Sequence, residues 1–376
     1  MNKRVLLVID QIASGGAEKI LLEFNNYLKS QGYSTKIFSL YGNNETIAAS
    51  GLKNNSANIV IKYIQQKILF KKLRKYASSF SPDIIFSFLE RSNVLVSKLD
   101  IDATKIVTVH NILSIQYRKL NSLINKFVKS DINRAYSKVD KIIVVSDNIR
   151  QDLIQEYNIP SNKIFTINNR IDKAEIIKQA SEPITEFELD NDSCYITNIG
   201  RFCYQKAQWK IVKVIKKLKT EYPQLNVKGL IIGEGILKSK LMEFISDLNL
   251  EKDIIILPYQ SNPYKFIAKS NLFLLPSFFE GCPIVLSEVV ALGIPFVGSE
   301  KAIPKEYFDV NSSYWKDATF EISEFEEFGA CLGPETEDIT NKIMNQMKTK
   351  SSVIGTRIWN NSNDKKNQFE EYVDLF

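Results

Sequence analysis

Two connections in the second half of the chain carry side chains suited to a charged leaving group. In GRFCYQKAQW (200–209), Arg201 and Lys206 stand on one connection after an apolar run. A planar guanidinium forks two phosphate oxygens and an ammonium adds a point charge, so the two suit a departing diphosphate without a metal. Two exposed basic side chains in a loop are the plainer reading. In PSFFEGCPIVLSEVVALGIPFVGS (276–299), Glu280 and Glu288 have seven residues between them. Glu280 is expected in a loop, and Glu288 on the second turn of a helix beginning near Pro283, where proline at the first helical position costs nothing. The free amides of that helix start, from Cys282, Ile284 and Val285 but not Pro283, would face the diphosphate. Glu288 would accept from both ribose hydroxyls.

The first half offers fewer candidates. Gly15 and Gly16 follow the apolar run Arg4–Ile9 and precede apolar residues at Ile20, Leu21, Phe24 and Leu28, the spacing of an amphipathic helix. They let backbone approach a ligand beside a helix N-terminus, and they equally suit a plain strand-to-helix turn. His110, the sole histidine, stands just after the run Lys105–Val109. It reads either as a site residue or as a hydrogen-bonded buried imidazole, and with no second histidine a zinc mechanism is not expected. The Asp-x-Asp patterns at Asp100/Asp102 and Asp190/Asp192 read as loop acids, so no metal site and no cofactor is expected.

These residues need strands to hold them. Apolar runs at Arg4–Ile9, Thr35–Ser39, Asp83–Phe88, Lys105–Val109 and Lys141–Val145 alternate with segments of helical period. The pattern restarts with Cys194–Ile199, Val227–Ile232, Ile254–Leu257, Leu272–Leu275 and Pro295–Val297. The fold class is α/β: two doubly wound, Rossmann-like domains facing a central cleft, with a linker near residues 173–193. Ligands of such domains bind outside the carboxyl ends of the strands.

The chain's 376 residues exclude a small disulfide-stapled module, and Cys194, Cys203, Cys282 and Cys331 form no CxxC motif, which fits a reducing cytoplasm. No apolar run is long enough to span a bilayer, and Val5–Ile9 is too short for a signal peptide. Residues 1–172 carry 25 Lys and Arg against 14 Asp and Glu, whereas residues 173–376 carry 24 against 29. The basic half faces an anionic surface, membrane or nucleic acid, or is simply a solvated face. Two stretches concentrate the charge. Residues 62–76 carry Lys62, Lys67, Lys71, Lys72, Arg74 and Lys75 around Ile64, Ile68 and Leu73. Residues 116–130 set Leu120, Ile124 and Phe127 beside Arg118, Lys119, Lys126 and Lys129. Amphipathic helices of this kind rest on anionic lipid or turn their apolar side into the core; two in one domain favour membrane contact.

The motifs GGAE (15–18), VVSDNIRQDL (144–153), INNRID (167–172), GRFCYQKAQ (200–208), IIGEG (231–235) and FEGCPIVLSE (279–288) occur in an order that resembles glycosyltransferase family 4, of the GT-B fold. The resemblance implies an acceptor domain over residues 1–175, a nucleotide-sugar domain over 176–355, and a segment 356–376 whose final stretch, Asn363–Phe376, crosses back to the first domain. It implies transfer with retention of anomeric configuration and no metal. Arg201 and Lys206 would hold the diphosphate, Glu288 the ribose, and Glu280 the donor sugar's hydroxyls. Gly15 and Gly16 would border the donor, with Gly16 approaching the phosphate. His110 would lie near the anomeric centre, and Gly233, Pro258 and Tyr259 would line the base. Ala207 departs from the family, which has glycine there.

The expected activity is transfer from a nucleotide diphosphate sugar, with uridine as the base, to a hydroxyl of a lipid-linked or polysaccharide acceptor, at the inner face of the plasma membrane. Two other readings compete: a GT-B nucleotide-sugar epimerase, which needs acid and base groups on both sugar faces, and a nucleic-acid-binding protein using the basic half.

Overall fold

The computed structural model describes residues 3–12, 15–41, 48–49, 59–118, 122–303, 313–322, 328, 332–349 and 368–376. Lys119, Leu120, Cys331, residues 356–367 and the side chain of Lys62 lie outside the described residues. The chain divides into two units, Met1–Asn169 with Lys366–Phe376, and Arg170–Lys365.

The first unit is built on seven parallel strands: β1 (Arg4–Gln11), β2 (Ser34–Tyr41), β3 (Ala48–Ala49), β4 (Ile84–Phe88), β5 (Thr104–Val109), β6 (Lys141–Val144) and β7 (Ile164–Thr166). Their order across the sheet is β3-β2-β1-β4-β5-β6-β7. Val5 pairs with Thr35 on one side and with Ile84 on the other, so β1 is central. Val5 to Ile9 are all buried, as expected for a parallel strand covered on both faces by helices. The helix Gly16–Ser30 turns Ile20, Leu21, Phe24 and Leu28 onto the sheet at the spacing of one helical face. Chain-terminal residues complete this unit. In the helix Gln368–Val373 and just beyond it, Phe369, Tyr372 and Phe376 meet Phe24 at ring-centroid distances of 5.5, 5.2 and 6.3 Å.

The second unit repeats the winding with β8 (Cys194–Ile199), β9 (Val227–Ile232), β10 (Ile254–Leu257), β11 (Leu272–Leu275), β12 (Phe296–Ser299) and β13 (Thr319–Phe320), in the order β10-β9-β8-β11-β12-β13. In both units the strand order reverses beside the first strand, between β1 and β4 and between β8 and β11. These are the switch points at which doubly wound sheets open a crevice.

Residues 173–193 are not a linker. The change of unit falls at Asn169/Arg170, and Asp172 caps a helix, Lys173–Ala180, by accepting from Glu175 N at 3.0 Å. That helix buries Ile176 among Tyr264, Leu286 and Val289. The acidic stretch after it is tied to the second unit by Glu186–Lys265 at 2.7 Å and by Phe187 stacked on Phe266. Asp190 accepts from Ser193, Asn226 and Lys228, a structural use of its carboxylate.

Candidate functional site

Because the second sheet is wholly parallel, the carboxyl ends of β8, β9, β10 and β11 share one edge. Gly200 and Arg201 follow β8, Gly233 follows β9, Pro258 and Tyr259 follow β10, and Glu280 to Glu288 follow β11. The donor-side residues expected from the sequence therefore gather along this edge.

Two loops flanking the switch point are latched together. Phe278 N donates to Gln205 O at 2.8 Å, Gln205 Nε2 donates to Phe279 O at 2.9 Å, and Tyr204 stacks on Phe278. Within the latch, Lys206 Nζ lies 2.6 Å from Glu280 Oε1, with both side chains largely shielded from solvent. The latch gives the ammonium and the carboxylate fixed positions, and the exposed Arg201 stands on the same connection. Ala207 adopts the left-handed conformation, φ 49° and ψ 39°, in which a Cβ is unfavourable. The departure from glycine is therefore a strained backbone position at the entry to the helix Trp209–Glu221, and it leaves the charges in place.

Pro283 is the N-cap of the helix Ile284–Ala291 rather than its first residue, and Cys282, a buried thiol outside any disulfide, stands just ahead of it. Glu288 is buried on the second turn, where Tyr264 Oη donates to its Oε1 at 3.1 Å. Tyr264 and Gln205 were not foreseen from the sequence. Nothing in their local spacing marks them, because both act across the sheet edge. Gly233 has φ +151°, and a Cβ there would stand 2.1 Å from Gly200 O. A Cβ on Gly235 would meet Phe202 O at 2.3 Å. The glycines of IIGEG therefore let the loops after β8 and β9 pair backbone to backbone, through Phe202 N to Glu234 O at 2.8 Å. Tyr259 is exposed at the end of β10.

On the first unit, Gly15 caps the helix Gly16–Ser30 and lies against the buried Glu18 carboxylate. His110 follows β5, stacked on Phe88, with Nε2 2.9 Å from Thr108 Oγ1. The Thr108 hydroxyl donates to Ser87 O, so Nε2 carries the proton and donates, leaving Nδ1 as an acceptor. Burial pushes the imidazole down to about 4, so it is neutral at pH 7. At this sheet's switch point, β1 carries Asp10 and β4 leads into Glu90. Glu90 is buried and Asp10 partly buried, and both are raised above the ordinary carboxylate range by desolvation, Glu90 to about 7. Neither acid was foreseen from the sequence, since an acid at the end of each of two strands gains meaning only once the strands are known to be neighbours.

The basic stretches lie on helices. In Ile59–Phe80, Leu69, Leu73 and Ala77 are buried, while Lys71, Lys72, Arg74 and Lys75 are exposed. Ile64 and Ile68 face outward with the lysines, not into the core as Leu73 does. In Ser122–Ser137, Phe127 is 76% exposed and Ile124 41%, beside the exposed Lys126; Arg118, also exposed, precedes the helix. Among the described residues, no helix is long and apolar enough to cross a membrane.

Residues 14–175 match the family described as Glycosyltransferase Family 4, and residues 179–326 the one described as Glycosyl transferases group 1. A Campylobacter jejuni protein, N-acetylgalactosamine-N,N'-diacetylbacillosaminyl-diphospho-undecaprenol 4-alpha-N-acetylgalactosaminyltransferase, is 30% identical over 80% of each chain. The chain belongs to glycosyltransferase family 4. An Escherichia coli relative, UDP-Gal:alpha-D-GlcNAc-diphosphoundecaprenol alpha-1,3-galactosyltransferase, is 24% identical over 58% of this glycosyltransferase and 57% of its own length. The crystal structure of Anabaena HepE in complex with UDP-glucose superposes with a TM-score of 0.73 at 15% identity, covering 100% of each chain. The two units are the Rossmann-like domains of the GT-B fold.

Proposed function

We propose that this glycosyltransferase moves a sugar, with retention and without a metal or other cofactor, from a UDP-sugar to a hydroxyl of a lipid-linked or polysaccharide acceptor, working at the inner face of the plasma membrane. The observation that carries the reading is the latched corner, where Lys206 pairs with Glu280 on the connection that leads into the helix Ile284–Ala291, and Arg201 stands on the connection that carries Lys206. Breaking a glycosyl-phosphate bond builds negative charge on the diphosphate and positive charge on the sugar ring. Arg201, Lys206 and the helix amides answer the first, and being fixed in advance they need no reorganisation during the reaction. Glu280, oriented by Lys206, accepts from hydroxyls of the donor sugar. Glu288, steadied by Tyr264, accepts from the ribose, and Gly233, Pro258 and Tyr259 border the base. Gly16 approaches the phosphate. His110, a neutral imidazole with Nδ1 open to a donor, accepts from a sugar hydroxyl. The acceptor hydroxyl attacks the face the diphosphate leaves and passes its proton to the departing phosphate.

The relatives' names support the acceptor class and an α linkage, which an α-linked nucleotide sugar yields only by retention. Lys71, Lys72, Arg74, Lys75, Arg118, Lys119 and Lys126, with the outward Ile64, Ile68, Ile124 and Phe127, suit an anionic lipid surface.

A panel of nucleotide sugars, each incubated with N-acetylglucosaminyl diphosphofarnesol and related lipid diphosphate sugars, tests the reading. We expect release of UDP, an α-linked product and full activity in chelator. Arg201→Ala and Glu280→Ala should each lower turnover by roughly 100-fold. No nucleotide release from any donor, or loss of activity in chelator, would overturn it.

A further inference from the structure

The corner at the switch point of the first sheet has an unfinished hydrogen-bond network. Asp10 is tied down, with Oδ1 accepting from Ser92 N at 2.8 Å and Ser92 Oγ at 2.7 Å. Glu90 is not. It is 9% exposed, its carboxyl is hydrogen-bonded to the Gln116 side chain, and its Oε1 is buried with no partner among the described residues. Gln116 Oε1 is likewise buried and unpartnered. Native interiors leave few such atoms, and each carries a desolvation penalty until something donates to it. The backbone supplies a second observation. Leu89, which turns the chain from β4 into the helix Glu90–Ser97, has φ +74° and ψ 152°, a conformation that L-residues rarely adopt and that clusters at ligand sites. Gln116 is equally well placed, on a short helix, Leu113–Gln116, whose first amide is held by Asp152 Oδ2 at 2.9 Å.

The chemistry of the missing partner follows from these atoms. Above about pH 7, where the Glu90 carboxyl is ionised, both are acceptors, so the ligand brings donors. Asp10 stands beside Glu90, and with both ionised the two carboxylates outnumber the one nearby guanidinium, Arg91, so the corner disfavours a phosphate. The ligand is neutral and rich in O–H or N–H groups.

We propose that Glu90 and Gln116 bind the sugar of the acceptor, taking hydrogen bonds from two neighbouring donors, hydroxyls or a hydroxyl and an acetamido N–H, and so select which hydroxyl is presented for transfer. This rests on the glycosyltransferase reading above and adds to it the residues that choose the acceptor.

Glu90→Gln tests it at almost constant shape. The new amide keeps its oxygen for Gln116 and sets an NH2 donor where Oε1 accepted. With N-acetylglucosaminyl diphosphofarnesol as probe, or the acceptor that turns over in its place in the panel, KM for the acceptor should rise at least tenfold, with a smaller change in kcat. The dissociation constant for UDP, read by calorimetry, should stay within twofold. Gln116→Leu should raise the same KM by a similar factor. An acceptor KM within twofold of wild type in either folded variant would overturn the proposal. So would UDP binding that weakens in step with transfer, which would mark the corner as structural or as part of the donor site. A wild-type protein that releases no nucleotide from any donor counts against the parent reading instead.

Discussion

Two buried groups in the first unit titrate in opposite senses. The Glu90 carboxyl goes from 4.5 when unfolded to about 7, so between those values the folded state holds more protons and stability falls as pH rises. Desolvation is the main cause, with the Asp10 charge adding to it, and the facing Tyr117 and Tyr136 phenols are raised beyond the physiological range. His110 goes from 6.5 to about 4, so the unfolded state holds more protons and stability rises with pH over that interval. The two slopes oppose each other between about pH 4.5 and 6.5. Glu90→Gln removes one of them, so its stability gain over wild type should grow from pH 4.5 to 7 by on the order of 2 kcal/mol and then level off. Urea unfolding at pH 4.5, 6 and 8 checks this, and a pH-independent difference would refute the assignment. At this scale the placement of Arg201, Lys206 and Glu280 on connections after β8 and β11 was legible because those strands are clear apolar runs, while their roles belong to the proposed function. Glu90 was not, because its significance depends on β1 and β4 being neighbours, and only the fold makes them so.

Elements were legible where they are long or wholly buried. Four strands of the second sheet keep the bounds expected from their Ile- and Leu-rich runs, whereas β3, β7 and β13, of two or three residues, carry too little pattern to show period two. The basic helices show the reverse case. Their apolar residues were visible, but which of them face the core was not, since Leu69 and Ala77 supply the buried stripe and Ile64 and Ile68 do not. An exposed Phe127 beside Lys126 and Lys129 would suit the proposed membrane contact, each basic residue near an anionic leaflet contributing about 1 kcal/mol. Phe127→Ser with Lys126→Ser should lower co-sedimentation with phosphatidylserine-containing vesicles severalfold in low salt. Equal binding by wild type and variant would rule this helix out as the contact.

Across the whole molecule, the same winding occurs twice, and in each copy ionisable side chains gather beside the reversal: Lys206 and Glu280 at one, Asp10 and Glu90 at the other. The restart of the strand pattern made the duplication legible. The boundary was less so, because the acidic stretch 182–193 has a polar composition that hides its attachment through Phe187 and Glu186. The aromatic cluster of Phe24, Phe86, Phe369 and Tyr372 ties the chain's last helix to the first unit. Tyr372→Ala should destabilise that unit by about 3 kcal/mol, read as a lower midpoint in thermal unfolding. An unshifted midpoint would mean the helix contributes little.

That cluster also sets an order of events at the ribosome. Phe24 and Phe86 are made early, but the rings that cover them emerge only after residues 170–365 have been polymerised. At about 5–20 residues per second the wait is roughly 10–40 s. Throughout that interval the nascent first half is expected to expose the aromatic face that this helix covers in the folded unit.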